Sequence, residues 1–185
     1  YVGEEEYAIG LTERSEKTVL LNRNENLISA TMIRDNPIKH WDKIASPFKR
    51  VFSTNILIAG TASEGKTNLV QDLGKYFNAP YSYEWARDYM KNNCVDDYEL
   101  DGADFISFLE GQHNLNKKLI NSKENHGIFF AYTDSLVTRM YAEYYSNDGN
   151  FELSKDELKT IKKMADELTR KSRWDKIFLL SPHNK

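Results

Sequence analysis

A single cysteine, Cys94, stands among the 185 residues. It cannot close an internal disulfide, so a reducing cytoplasm is the expected compartment. Placed after Lys91, Asn92 and Asn93, it reads as an inert residue near a helix end. No apolar run is long enough to span a membrane, and no signal peptide is recognised. A surplus of one charge is also missing. With 25 basic and 28 acidic side chains the net charge is −3, which gives no argument for a nucleic-acid partner. The four histidines show no ligand spacing. His40 and His126 read as surface residues and His113 as a structural residue on a helix. There is no C-x-x-C and no H-E-x-x-H, so a zinc site is not expected.

What remains is the composition of an ordinary globular protein, 40% hydrophobic and 29% charged. The length suits one domain, or one domain and a piece of another. The chain starts at Tyr1 without a Met and stops shortly after an apolar strand over 176–180. An α/β sheet rarely ends its chain on such a strand, so a piece of a longer protein is expected.

Residues 1–48 lack the apolar periodicity for a core of their own. They suggest a helix over 4–11, a strand over 18–21, a polar turn at 22–26 and a turn entering a helix over 28–34. Asn36-Pro37 breaks that helix, a short second one runs to Ile44, and Ser46-Pro47 reads as a linker. From Val51 onward strands and helices alternate. Strands are predicted over 55–59, 81–84, 128–132 and 176–180. Helices are predicted over 66–77, 104–120 and 135–145, and from the capping box Ser154/Glu157 to about 170. This alternation implies an α/β fold, a parallel sheet with helices on both faces.

The strand over 55–59 runs into Gly60, Thr61, Ala62, Ser63, Glu64, Gly65, Lys66 and Thr67, which spell G-x-x-x-x-G-K-T. This is a P-loop. Its glycines let backbone N–H groups turn inward around phosphate oxygens, Lys66 reaches the outer phosphates, and the Thr67 hydroxyl is placed to ligate Mg²⁺. The helix from Lys66 adds the positive end of its dipole. Glu64 is unusual inside such a loop: beside a triphosphate its carboxylate costs binding unless it points to solvent.

In parallel α/β folds ligands sit at the carboxyl ends of the strands, and two further groups fall there. Glu84, Trp85, Arg87, Asp88 and Tyr89 follow the strand over 81–84. A nucleoside kinase needs such a set: a carboxylate near the sugar hydroxyls, an aromatic face for the base and an arginine for phosphate. The same residues also fit a helix start with exposed charges. Asp134 follows the strand over 128–132. It is placed to organise Mg²⁺ or its waters, to orient an acceptor hydroxyl, or simply to cap the next helix.

Together, G-T-A-S-E-G-K-T-N-L, Y-E-W-A-R-D-Y and T-D-S-L-V-T resemble the ribosylnicotinamide kinase domain of the NadR family. In that family the kinase follows a nicotinamide-mononucleotide adenylyltransferase domain closing on I-S-x-T-x-I-R, then N-P and a tryptophan. This chain has Ile28, Ser29, Thr31, Ile33 and Arg34, then Asn36-Pro37 and Trp41. The resemblance implies that 1–48 is the C-terminal piece of a Rossmann-like nucleotidyltransferase domain, with Ser29, Thr31 and Arg34 binding ATP phosphates. It implies that 49–185 is a P-loop kinase-type domain without its lid and last strand. ATP and Mg²⁺ would lie on Gly60 to Thr67, and Glu84, Arg87 and Asp134 around the riboside and the transferred phosphate. Trp85 or Tyr89 would stack on the nicotinamide, with Asp88 beside it. Two departures stand out: family members often carry Ser at the position of Glu64, and an Asp where this chain has Tyr132.

The implied function is phosphorylation of nicotinamide riboside to the mononucleotide by ATP, within a bifunctional protein that adenylylates the product to NAD. A nucleotide-binding sensor, or a kinase for another nucleoside or nucleotide, is the alternative. The expected partners are small molecules, with neither nucleic acid nor membrane, and a homo-oligomer is left open.

Overall fold

In the computed structural model, which describes residues 28–147 and 153–181 together with Ile9 and Val19, three parallel strands lie in the order β2-β1-β3. β1 (Thr54–Gly60) is central, β2 (Ile128–Ala131) pairs with it from Thr54↔Ile128 to Leu57↔Ala131, and β3 (Lys176–Leu180) pairs on its other side from Ile56↔Lys176 to Gly60↔Leu180. Side chains alternate across a strand with a period of two. Ile58, Phe130 and Tyr132 therefore share one face, where they pack with Val70 and Leu73. Leu57, Phe129 and Ala131 share the other, against Leu119, Ile120 and Trp174.

From residue 28 onward the described α-helices are α1 (Ala30–Asp35), α2 (Ser46–Phe52), α3 (Lys66–Phe77), α4 (Trp85–Asn93), α5 (Gly102–Ile120), α6 (Ser135–Asn147) and α7 (Lys155–Lys171). α3 covers the Ile58 face and the end of α5 covers the Leu57 face. The two-sided sheet expected from the sequence is thus present. A third apolar cluster lies among the helices themselves. Phe105, Phe108 and Leu109 of α5 meet Ala142 of α6 and Ile161, Ala165 and Leu168 of α7. Two α-helix starts carry a reciprocal side-chain cap. Asp101 and Asp104 close a reciprocal box at α5, and Ser154 and Glu157 close one at α7.

Several expectations are corrected. The strand over 81–84 is reduced to one bridge, Tyr81 with Phe130, flanked by Ser82 N–H donating to Phe130 O (2.9 Å) and Phe130 N–H donating to Pro80 O (3.2 Å). Pairing ends there because the next residues turn into α4, which continues from the expected helix start to Asn93. Ser46-Pro47 is the first turn of α2 and not a linker. Proline's fixed φ and missing N–H suit that position. The short helix to Ile44 is a 3₁₀ turn over Trp41–Lys43. The helix over 4–11, the strand over 18–21 and the turn at 22–26 lie outside the described residues.

The chain divides into two compact units, Tyr1–His40 and Trp41–Lys185, a boundary earlier than residue 48. Trp41 is buried, and the Lys49 ammonium lies 5.4 Å from its ring centroid, which joins α2 to the 3₁₀ turn within the second unit. Described on its own, the first unit contains α1, which ends at Asn36 before Pro37.

Gly111 of α5 shows how closely α4 is seated. A Cβ built there would overlap the indole of Trp85. Gly111→Ala should therefore overpack the contact and cost about 1–3 kcal/mol, read as a lower midpoint in urea. An unchanged midpoint would mean that Trp85 does not lie against α5.

Candidate functional site

The P-loop follows β1 and curls above its carboxyl end. Gly65 takes the left-handed region (φ +76°) as the cap of α3, and a Cβ there would meet no atom within 4 Å. Ser63 also has positive φ, 66°. Such left-handed turns are the backbone form in which successive N–H groups make an anion-binding nest. Lys66 is buried, 6% exposed. Its ammonium donates to the Thr61 carbonyl oxygen and lies 5.2 Å from the ring centroid of Tyr132. Burial holds its pKa below the ordinary lysine value, opposed by the carboxylates of Glu84 and Glu64. Glu64 does not simply point to solvent: its Oε1 accepts from the Thr61 hydroxyl at 3.3 Å, across the loop.

Glu84 and Arg87 form an ion pair at 3.0 Å, at the start of α4. They line two cavities at once. One, of about 130 Å³, also touches Thr67, Asp88 and Tyr132. The other, of about 310 Å³, extends from Ala62 of the P-loop past Gln112 and Thr133 to Phe108, Tyr141 and Tyr145. The structure thus brings Ala62, Thr67, Glu84, Arg87 and Asp88 around two cavities that share Glu84 and Arg87.

It places three expected residues elsewhere. Trp85 packs on Gly111, and Tyr89 donates to Asp104 Oδ1 at 2.9 Å with its ring edge-on to Phe108. Neither lines the larger cavity, whose aromatic wall includes Tyr141 and Tyr145, a stacked pair 6.1 Å apart on α6. Asp134 is buried with both carboxylate oxygens occupied. Oδ1 accepts from Leu136 N–H (3.1 Å) and Val137 N–H (3.3 Å), and Oδ2 accepts from the Trp174 indole (2.9 Å). Burial raises its pKa against those hydrogen bonds. Tyr132, in the place of the expected aspartate, lines the small cavity with Thr67 and Arg87, and burial raises its pKa. In the first unit, Ser29 Oγ caps α1 by accepting from Met32 N–H (3.2 Å), and Arg34 donates to Thr31 Oγ1 (3.3 Å).

Sequence reasoning missed the two residues that hold these pieces together. Gln112 Oε1 accepts from Trp85 N–H (2.8 Å), and its Nε2 donates to Tyr83 O (3.1 Å) and to Asn116 Oδ1 (3.1 Å). Asn116 Nδ2 donates to Thr133 O (3.4 Å). A signal was present: amides at i and i+4 continue the face on which Phe105, Phe108 and Leu109 are buried.

The family model described as an AAA domain matches residues 55–185, the second unit's sheet and both cavities included. The chain belongs to the AAA-domain family. Within this family its sequence is similar to the trifunctional NAD biosynthesis/regulator protein NadR of Escherichia coli (strain K12), 28% identical over 132 residues, which is 70% of this chain and 32% of that protein. The NadR of Salmonella typhimurium matches equally, 28% over 132 residues. A solved NadR protein in complex with NR has 37% identity and a TM-score of 0.81, covering 98% of this chain and 50% of that one. Another, in complex with NAD and AMP-PNP, has 37% identity and a TM-score of 0.79, covering 97% and 50%. The resemblance to NadR carried by the motifs is therefore homology. This AAA domain chain spans about a third of the curated relatives it matches and half of those solved chains. Among the described residues no helix is long and apolar enough to cross a membrane.

The lowered pKa of Lys66 has a sign that can be tested. A lysine whose folded pKa is depressed destabilises the fold below that pKa and ceases to do so above the ordinary lysine value. Lys66→Met should therefore leave the ligand-free melting temperature at neutral pH unchanged or higher, and the gain should shrink as pH climbs into the lysine range. A clear loss of stability would show that the Thr61 and Tyr132 contacts outweigh desolvation.

Proposed function

We propose that this AAA domain is an ATP-dependent kinase that phosphorylates the 5′-hydroxyl of nicotinamide riboside. The observation that carries the reading is the position of Glu84 and Arg87, shared between the small cavity at Thr67 and the larger cavity with the tyrosine wall. One pair of side chains then faces both the donor phosphates and the acceptor sugar. The homologous NadR proteins solved with NR and with NAD and AMP-PNP support both ligand classes.

In this reading the P-loop N–H groups and Lys66 hold the β- and γ-phosphates. Glu84 accepts the proton of the attacking hydroxyl, the oxygen bonds to the γ-phosphorus, and ADP leaves. Arg87 steadies the charge on the transferring group. Such transfer is mainly positioning and electrostatics.

Mg²⁺ keeps its waters and takes one or two protein ligands beside substrate phosphates, a demand that the oxygens of Thr67 and Glu84 on the small cavity fit. Thr67 would hold it, with Glu84 on the same cavity. It would neutralise phosphate charge. Asp134, with its oxygens already occupied, acts through position: it fixes the turn after β2 and reaches an ion only through water. Tyr141 takes over the stacking role expected of Trp85 or Tyr89, since its ring borders the cavity.

We also propose that the first unit is the end of an adenylyltransferase domain. There Ser29, Thr31 and Arg34 would meet ATP phosphates and the full-length protein would carry the mononucleotide to NAD.

Tyr132, beside Thr67 on the small cavity, favours the alternative of a sensor that binds ATP without consuming it. Incubation with Mg-ATP and nicotinamide riboside, followed by chromatography for the mononucleotide, separates the two. The kinase reading expects product, and a loss of at least about a hundredfold in turnover for a folded Lys66→Ala variant. ATP binding without product, or near-normal turnover in that variant, would overturn it.

A further inference from the structure

A second cavity, of about 430 Å³, lies between α2, α5, α7 and the segment leading into β3. It opens at the amino end of β1, where Asn55 borders it, whereas the P-loop and Thr133 lie at the carboxyl ends. Its wall carries Arg50, His113, Lys117, Lys171 and Arg173, and no acidic residue. The Arg173 guanidinium is already engaged, with Asp175 Oδ1 at 3.0 Å and Val51 O at 3.0 Å. Arg50, Lys117 and Lys171 enter no ion pair among the described residues. In a chain of net charge −3, three cations around one concavity with no ion pair among the described residues are not an average of composition.

The helix positions create this arrangement. His113 and Lys117 stand one turn apart on α5, with Lys171 facing them from the end of α7. Burial and the two lysines hold the His113 pKa below its ordinary value. The remaining wall includes Trp174, whose indole lies nearly parallel to Phe129 (20°, 6.3 Å). Cations beside a flat aromatic, in a cavity within the size range of small-molecule sites, match a nucleotide.

We infer that this cavity is a second nucleotide-binding site, which takes phosphates on Arg50, Lys117, Lys171 and His113 and lays the ring system toward Trp174. A nucleic-acid strand fits less well, because the site is concave and the chain carries net negative charge. The site also touches the machinery at the other end of the sheet. Asn116 and Trp174 border it, and they donate to Thr133 O and Asp134 Oδ2.

The test uses the whole chain with Lys66→Ala, so that the P-loop is silenced, and calorimetric titration with ATP and with inorganic pyrophosphate. Both should still bind, ATP more tightly. Adding Lys117→Ala and Lys171→Ala should weaken both by about tenfold or more. In the Lys66→Ala protein, pyrophosphate should raise the His113 pKa followed by NMR. That titration decides the question if the triple variant fails to fold. Equal affinity for the two ligands would overturn the nucleotide assignment, leaving a site for phosphate alone. No binding to Lys66→Ala, or unchanged affinity in the folded triple variant, would overturn the site. An unmoved His113 titration would also overturn it. None of these readouts depends on kinase turnover.

Discussion

Two buried amides on one helix hold the site in register. Gln112 and Asn116 lie on α5, yet they bind the backbone at Tyr83 and Trp85 on one side and at Thr133 on the other. The links to Tyr83 and Trp85 are part-buried and the one to Thr133 is buried, where an unmet polar group costs about 1–3 kcal/mol. The arrangement sets the distance between the start of α4, with Glu84 and Arg87, and the turn that follows β2. A sheet alone could not do this, because the strand expected before α4 amounts to one bridge.

Around the P-loop, charge is managed without a generous supply of acids. Lys66 is buried on an aromatic ring and a carbonyl. Its nearby carboxylates, Glu64 and Glu84, both favour its charged form. Glu64 is therefore less anomalous than it looked in the sequence. Held by Thr61, it sits on the side of the loop where it assists the ammonium. Tyr132 offers its π face to the Lys66 ammonium, a contact that favours the charged form without adding a negative charge to the donor side.

Much of this was legible in the sequence. The helix over 66–77 and the strand over 176–180 coincide with α3 and β3 because period and length agreed with tertiary demand. The P-loop could be read from its spelling, since phosphate geometry leaves little freedom in residue type. What failed was local pattern without its long-range partner. Tyr81 to Glu84 has strand-like residues, but whether they pair depends on Gln112, far along the chain. Trp85 and Tyr89 have the rings that stacking needs, but their places against Gly111 and Asp104 depend on contacts that a local pattern does not carry. The tyrosines on α6 that do border the cavity were hidden because a helix face gives no hint of what lies opposite. Asp134 offered two readings, and its oxygens are taken by the capping one and by an indole donor 40 residues away.

Cys94 closes α4 in a left-handed conformation (φ 53°) and is exposed. As the single thiol of the chain, it is a ready-made attachment point on the helix that begins with Glu84 and Arg87. A dye or spin label placed there would report the motion of that helix as ligands fill either cavity, with no engineered residue and no competing thiol.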